Sequence, residues 1–174
     1  MIGPGHAGVV LFLCTGNFYR SRVAEALFRS LAPSGWTATS RGLSVTGALR
    51  GLAPEGSYFL EAQGIPIDPR DPMPLLVDEL IAAGHIVLLN HAEHEPMITR
   101  DFGAVYRKLL ARNAVTRWNI FDLPPHKVPW GREIPPSQPA VSALEHIRFA
   151  VECLARQLPA KPGSPNEKET SCTH

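Results

Sequence analysis

Disulfide chemistry is almost absent from this chain. Its three cysteines, Cys14, Cys153 and Cys172, are odd in number and far apart in 174 residues, so no disulfide framework is expected and at least one thiol stays free. Charge of one sign is missing too. Seventeen Lys and Arg stand against sixteen Asp and Glu, a net +1 that gives no field able to gather nucleic acid or anionic lipid, so neither partner is expected. Long hydrophobic runs are lacking as well: the opening "MIGPGHAGVVLFLC" has no basic leader, and its apolar stretch is too short to span a bilayer, which points to a cytoplasmic protein. There is also no internal repeat. What remains is an ordinary globular composition, 44% hydrophobic and 19% charged, in a chain long enough to bury about 70% of its unfolded surface as a single domain.

The apolar segments alternate between two patterns. Gly8 to Leu13 is continuously apolar, as expected of a parallel strand covered on both faces, and Ala24, Leu27, Phe28 and Leu31 then repeat at helical spacing from about Ser21. A second strand is expected from Trp36, a short helix over "GSYFLEAQG", a loop from Ile65 to Pro74, and a helix from Leu75 to Ala83 stopped by Gly84. "HIVLLN" reads as a buried strand, followed by helix from Glu93 to Phe102 and again from Tyr106 to Ala111, and by "VTRWNIF" as the last strand. An irregular segment from Asp122 to Pro136 leads to an amphipathic helix marked by Val141, Leu144, Ile147, Val151, Leu154 and Leu158, with Pro139 in its first turn. This order gives an α/β doubly wound domain over residues 1–158. Gly, Pro, Ser, Lys and Glu dominate from 159 to 174, which reads as a disordered tail.

Cys14 ends the first strand, and Arg20 lies six residues on with Ser21 beside it. A loop leaving a strand and opening a helix turns several backbone N–H groups toward one point, with the positive end of the helix dipole behind them, and such a point binds phosphate. Gly16 and Asn17 suit the unusual backbone angles of such a nest, and the planar fork of Arg20 matches a phosphoryl group. The same donors stabilise a sulfur anion, the nucleophilic form of a cysteine. The spacing C-x5-R thus places a sulfur beneath a phosphorus while a guanidinium grips its oxygens, a site for in-line displacement in which the Ser21 hydroxyl can assist the departing sulfur. Thr15 to Ser21, with Phe18 and Tyr19 among them, form the candidate phosphate-binding loop.

"VLFLCTGNFYRSRVAEALF" resembles the N-terminal signature C-x-G-N-x-x-R-S of the low-molecular-weight protein tyrosine phosphatases, matched by Cys14, Gly16, Asn17, Arg20 and Ser21 and by the "AEALF" that follows. "SRG" at Ser40 to Gly42, "GI" at Gly64 and "LLNHAEH" at Leu88 to His94 extend the likeness over about Val9 to Leu158. The resemblance implies a four-stranded parallel sheet with helices on both faces. It also implies hydrolysis through a phosphocysteine, with no metal or other cofactor, and an aspartate in a D-P loop as general acid. Asp122 in "WNIFDLPPHK" is the candidate for that acid, although the sequence here is D-L-P; His126 and Glu133 are the stand-ins, and an ordinary loop-starting role is the alternative.

The expected function is a phosphomonoester hydrolase acting on phosphotyrosine in proteins, or on a small phosphomonoester. Phe18, Tyr19, Trp118, His126 and Trp130 are candidate pocket walls. The rim departs from the family: Ala53 and Glu55 flank Pro54, where the family carries an aspartate and an arginine, and Arg41 replaces a small residue. Two alternatives stand beside the hydrolase. A thiol-dependent arsenate reductase needs two relay cysteines after the third strand, and Asn90 to Ile98 has none. An inactive phosphate-binding module would fit a defective acid loop. His91 and His94, with Glu93 and Glu95, lack a third ligand at zinc spacing and read as a solvated helix start.

Overall fold

The computed structural model describes residues 8–122 and 138–160, with the side chains of the last helix described from residue 143 onward. Strand β1 (Gly8–Cys14) is followed by α1 (Arg20–Leu31), β2 (Trp36–Gly42), α2 (Pro54–Glu61), α3 (Val77–Ala82), β3 (His85–Leu88), α4 (His91–Ala111), β4 (Val115–Arg117) and α5 (Gln138–Gln157). The four strands form one parallel sheet in the order β2-β1-β3-β4.

β1 is central because it is apolar throughout: Val10, Leu11, Phe12 and Leu13 are all fully buried. Alternate residues serve opposite faces. Val10, Phe12 and Cys14 pack with Val23, Leu27 and Phe28 of α1 and with Leu144, Ile147, Val151 and Leu154 of α5, whereas Leu11 and Leu13 join Leu80, Ile98, Tyr106 and Leu109 on the α3 and α4 side. Each fully buried aliphatic or aromatic side chain of this kind contributes about 1.5–3 kcal/mol, so the central strand is fixed by both layers. The chain winds outward from β1 to β2, then crosses to β3 on the other side of β1. The carboxyl ends of β1 and β3 therefore flank a topological switch point, the edge where open α/β sheets bind ligands.

The helices and strands expected from periodicity are present, with local differences. The two helices expected between Glu93 and Ala111 meet at a kink at Phe102, where the backbone leaves helical angles (φ −135°, ψ 23°), within the span of α4. The last strand is only Val115–Arg117: beyond it the chain keeps one antiparallel bridge, Asn90 to Asn119, and turns across the sheet edge. Pro139 lies in the first turn of α5. His126, Trp130, Glu133, Cys172 and residues 161–174 of the expected tail lie outside the described residues. Among the described residues, no helix is long and apolar enough to cross a membrane.

Candidate active site

Cys14 is the last residue of β1 and is 3% exposed, so its sulfur faces the loop that follows rather than solvent. The Asn17 backbone N–H donates to Cys14 Sγ at 3.2 Å, and Ser21 Oγ lies 3.0 Å from the same sulfur. The loop needs one left-handed residue to curl back in this way, and Asn17 supplies it (φ 51°). Gly16 does not. Contrary to the expectation from sequence, its φ is not positive and a Cβ there would make only an ordinary contact with Leu49 at 3.6 Å. The glycine that the loop requires is Gly42, at the end of β2, where a Cβ would come within 2.9 Å of the Thr15 carbonyl oxygen and 3.1 Å of the Asn17 nitrogen. No side chain caps the start of α1, so its first-turn N–H groups are left for an anion.

Beneath the loop lies a polar network that spacing does not announce. Asn17 Nδ2 donates to Ser21 Oγ (3.1 Å) and Ser40 Oγ (2.9 Å), and its Oδ1 accepts from Arg70 (3.0 Å) and from the Met73 backbone N–H (2.9 Å). Arg70 also donates to Glu25 at 2.6 Å, and Ser40 donates to the same carboxylate. Arg22 holds the Arg70 carbonyl oxygen at 2.9 Å and that of Asp68 at 2.6 Å. Arg70 comes from the Pro-rich loop and Glu25 from the second turn of α1. Their positions in sequence give no sign of the pair.

The mouth of the loop is built from three strand ends. Arg20, 1% exposed, donates from Nη1 to Glu93 Oε2 (2.9 Å) and to the Ile120 carbonyl oxygen (3.1 Å), and from Nη2 to Glu93 Oε1 (3.2 Å) and Asp122 Oδ2 (2.9 Å). Thr15 Oγ1 donates to Glu93 Oε1 as well. Burial by itself raises the Glu93 carboxyl, but the bonds from Arg20 and Thr15 and the nearby positive charge outweigh it and hold it at about 2. Asp122, the candidate acid, also lies on Arg20. Glu93, weighed there only as a neighbour of metal-binding histidines, is its second partner.

His94 overturns the reading of a solvated helix start. It is fully buried because its ring turns under the mouth, where Nδ1 accepts from the Asn90 backbone N–H at 3.1 Å. Burial, followed by the Arg20 charge, lowers its pKa to about 4, so it is neutral near pH 7. No group of three metal-ligating side chains occurs among the described residues. Arg41 is neutralised by Glu79. Phe18 is half-buried against the core, Tyr19 is buried, and Trp118 packs on Phe12 with ring centroids 5.8 Å apart. Ala53 ties α2 to the loop by donating its N–H to the Phe18 carbonyl oxygen.

The family profile described as "Low molecular weight phosphotyrosine protein phosphatase" matches residues 9–111. The chain belongs to this family. No curated protein matches it significantly in sequence. Among solved structures, it is similar to the YwlE arginine phosphatase from Geobacillus stearothermophilus (22% identity, 86% of this chain and 92% of that one, TM-score 0.66). It is also similar to Vibrio vulnificus Wzb in complex with benzylphosphonate (17%, 87% and 99%, 0.68) and to the low molecular weight protein tyrosine phosphatase from T. tengcongensis (19%, 87% and 99%, 0.62). At these identities the likeness establishes the shared fold, and the family match carries the phosphatase assignment.

Proposed function

We propose that the protein hydrolyses phosphomonoesters on proteins through a cysteinyl-phosphate intermediate, without a metal, and that phosphotyrosine is its substrate. The observation that carries this reading is the Cys14 sulfur, held by the Asn17 N–H and Ser21 hydroxyl at the bottom of a loop closed by Arg20. A phosphoryl group enters with its oxygens on Arg20 and the loop N–H groups. Cys14 attacks phosphorus, the S–P bond forms as the P–O bond to the leaving group breaks, and Asp122 gives the leaving oxygen its proton. Water then attacks phosphorus and passes a proton to Asp122. The S–P bond breaks, and the Ser21 hydroxyl donates to the departing sulfur. Asp122 Oδ2 accepts from Arg20 Nη2 at 2.9 Å, and entry of the phosphoryl group onto Arg20 releases it toward the leaving oxygen.

Half-buried Phe18 in the loop favours an aromatic substrate. One observation favours a second reading, phosphoarginine: Glu93 and Asp122 put two carboxylates at the mouth, a setting suited to a cationic leaving group, and a similar structure is that of an arginine phosphatase. Turnover of phosphotyrosine, phosphoarginine, phosphoserine and p-nitrophenyl phosphate peptides or esters decides between them. Activity is expected to survive EDTA. Release of nitrophenol without added thiol separates hydrolysis from arsenate reduction, and its absence in the wild type would leave a phosphate-binding module. The catalytic unit is residues 1–158. Truncation after Ala160, which keeps the Pro159 carbonyl oxygen on Trp36 Nε1 at 2.8 Å, is expected to leave turnover unchanged.

A further inference from the structure

The reading of the Cys14 loop as a phosphate site leaves Glu93 unexplained. Its two oxygens take both terminal nitrogens of Arg20, and one of them also takes the hydroxyl of Thr15, a residue of the loop itself. A carboxylate lying flat on this fork copies two equatorial oxygens of a phosphoryl group. On its far side is His94, fully buried. Because Nδ1 accepts from Asn90 N–H, the ring proton sits on Nε2, which lies 3.4 Å from Glu93 Oε2 and has no hydrogen-bond partner among the described residues. Glu93 is nevertheless no part of the sealed floor. Its side chain is 38% exposed, and Asn90 Oδ1 accepts from its backbone N–H at 3.3 Å, so the helix start stays fixed if the carboxylate swings away.

We propose that Glu93 is a specificity-determining residue that competes with the phosphoryl group for Arg20, weakening the loop's hold on every oxyanion so that bare phosphate leaves and an ester stays only when its leaving group makes contacts of its own. The inference rests on the phosphate-site reading above. A buried guanidinium demands counter-charge, which Glu93 and Asp122 both supply; an incoming dianion that releases Asp122 still meets Glu93, and the two together crowd three negative charges around one cation. An ester of a protein brings further binding energy at Phe18 and the rim, while inorganic phosphate brings none. The carboxylate thus keeps a site built for phosphate from filling with free phosphate ion and its own product.

Calorimetric titration of the full chain with inorganic phosphate tests this. Glu93→Gln is expected to bind phosphate about tenfold or more tighter than wild type, with KM for p-nitrophenyl phosphate falling alongside. Glu93→Ala carries the same expectation if the amide disturbs the fork, and Glu93→Asp, which keeps the charge, is expected to stay nearer wild type. A Glu93 that merely props Arg20 in place gives the reverse, weaker binding on its loss; weaker or unchanged binding in both neutral variants, with a wild type that binds, overturns the proposal and leaves the phosphate site standing. If no form binds phosphate and vanadate fails to shield Cys14 from iodoacetamide, the site reading falls and this inference with it.

Discussion

The two sides of the Cys14 loop are built on opposite principles. Below it, Asn17, Ser40, Glu25 and Arg70 form a closed set in which donors and acceptors answer one another, with Asn17, Ser40 and Glu25 almost wholly buried. Above it, one buried guanidinium is shared by two carboxylates that are 38% and 55% exposed. The floor works as a brace. On the proposed reading, an incoming dianion replaces the contacts that hold the mouth together. The contrast explains why a phosphate loop can be rigid and still exchange its occupant: the backbone is fixed from beneath, and only side chains at the rim change partners.

Substitutions at the mouth should therefore cut rate, and substitutions in the floor should cut stability. The largest effect is expected from Cys14→Ser, a loss of about four orders of magnitude or more in turnover of p-nitrophenyl phosphate with phosphate binding retained, measured by steady-state kinetics and calorimetry. Arg20→Lys follows, at about 10²–10³-fold in kcat/KM, because a point charge cannot replace the two-pronged donor. Asp122→Asn is expected to lower turnover about 100-fold with poorly acidic leaving groups and much less with nitrophenol; an equal loss for both would remove Asp122 as the proton donor.

On the floor, Arg70→Ala takes one donor from the buried Glu25 carboxylate and one from Asn17 Oδ1 and should cost about 2–3 kcal/mol in urea unfolding; an unchanged midpoint would break the distinction between brace and mouth. The smallest effect is set by pH. The folded state holds His94 at about 4, below the ordinary value near 6.5, so the unfolded chain binds more protons between these limits. Stability is then full above about pH 6.5 and falls as pH drops toward 4. Thermal melts across that window are expected to show the slope in the wild type and lose it in His94→Gln.

Much of this was legible in the chain. The continuous apolar run of β1 and the helical repeat from Ala24 to Leu31 specify a buried strand and a packed helix, and they place Cys14, Arg20 and Ser21 on the turn between them. These are local patterns, and local patterns suffice for elements. Asp122 was reachable through the rule that sites lie beyond the carboxyl ends of strands. Arg70 was not, because a Pro-rich loop carries no periodicity to say where its side chains go. Glu93 and His94 were misread for a related reason: a histidine at a helix start is equally polar in sequence whether it faces water or the floor of a cleft.

The sequence alone determined a sheet with covered faces and a cysteine-arginine loop at its edge, since hydrophobic period and turn chemistry act over a few residues. Only the tertiary structure decided what surrounds that loop. Glu93 and Asp122 lie 73 and 102 residues beyond Arg20, and they meet it because strand order, set by packing of the whole chain, brings the ends of β1, β3 and β4 to one edge. Charge partners chosen at such a distance depend on the fold as a whole.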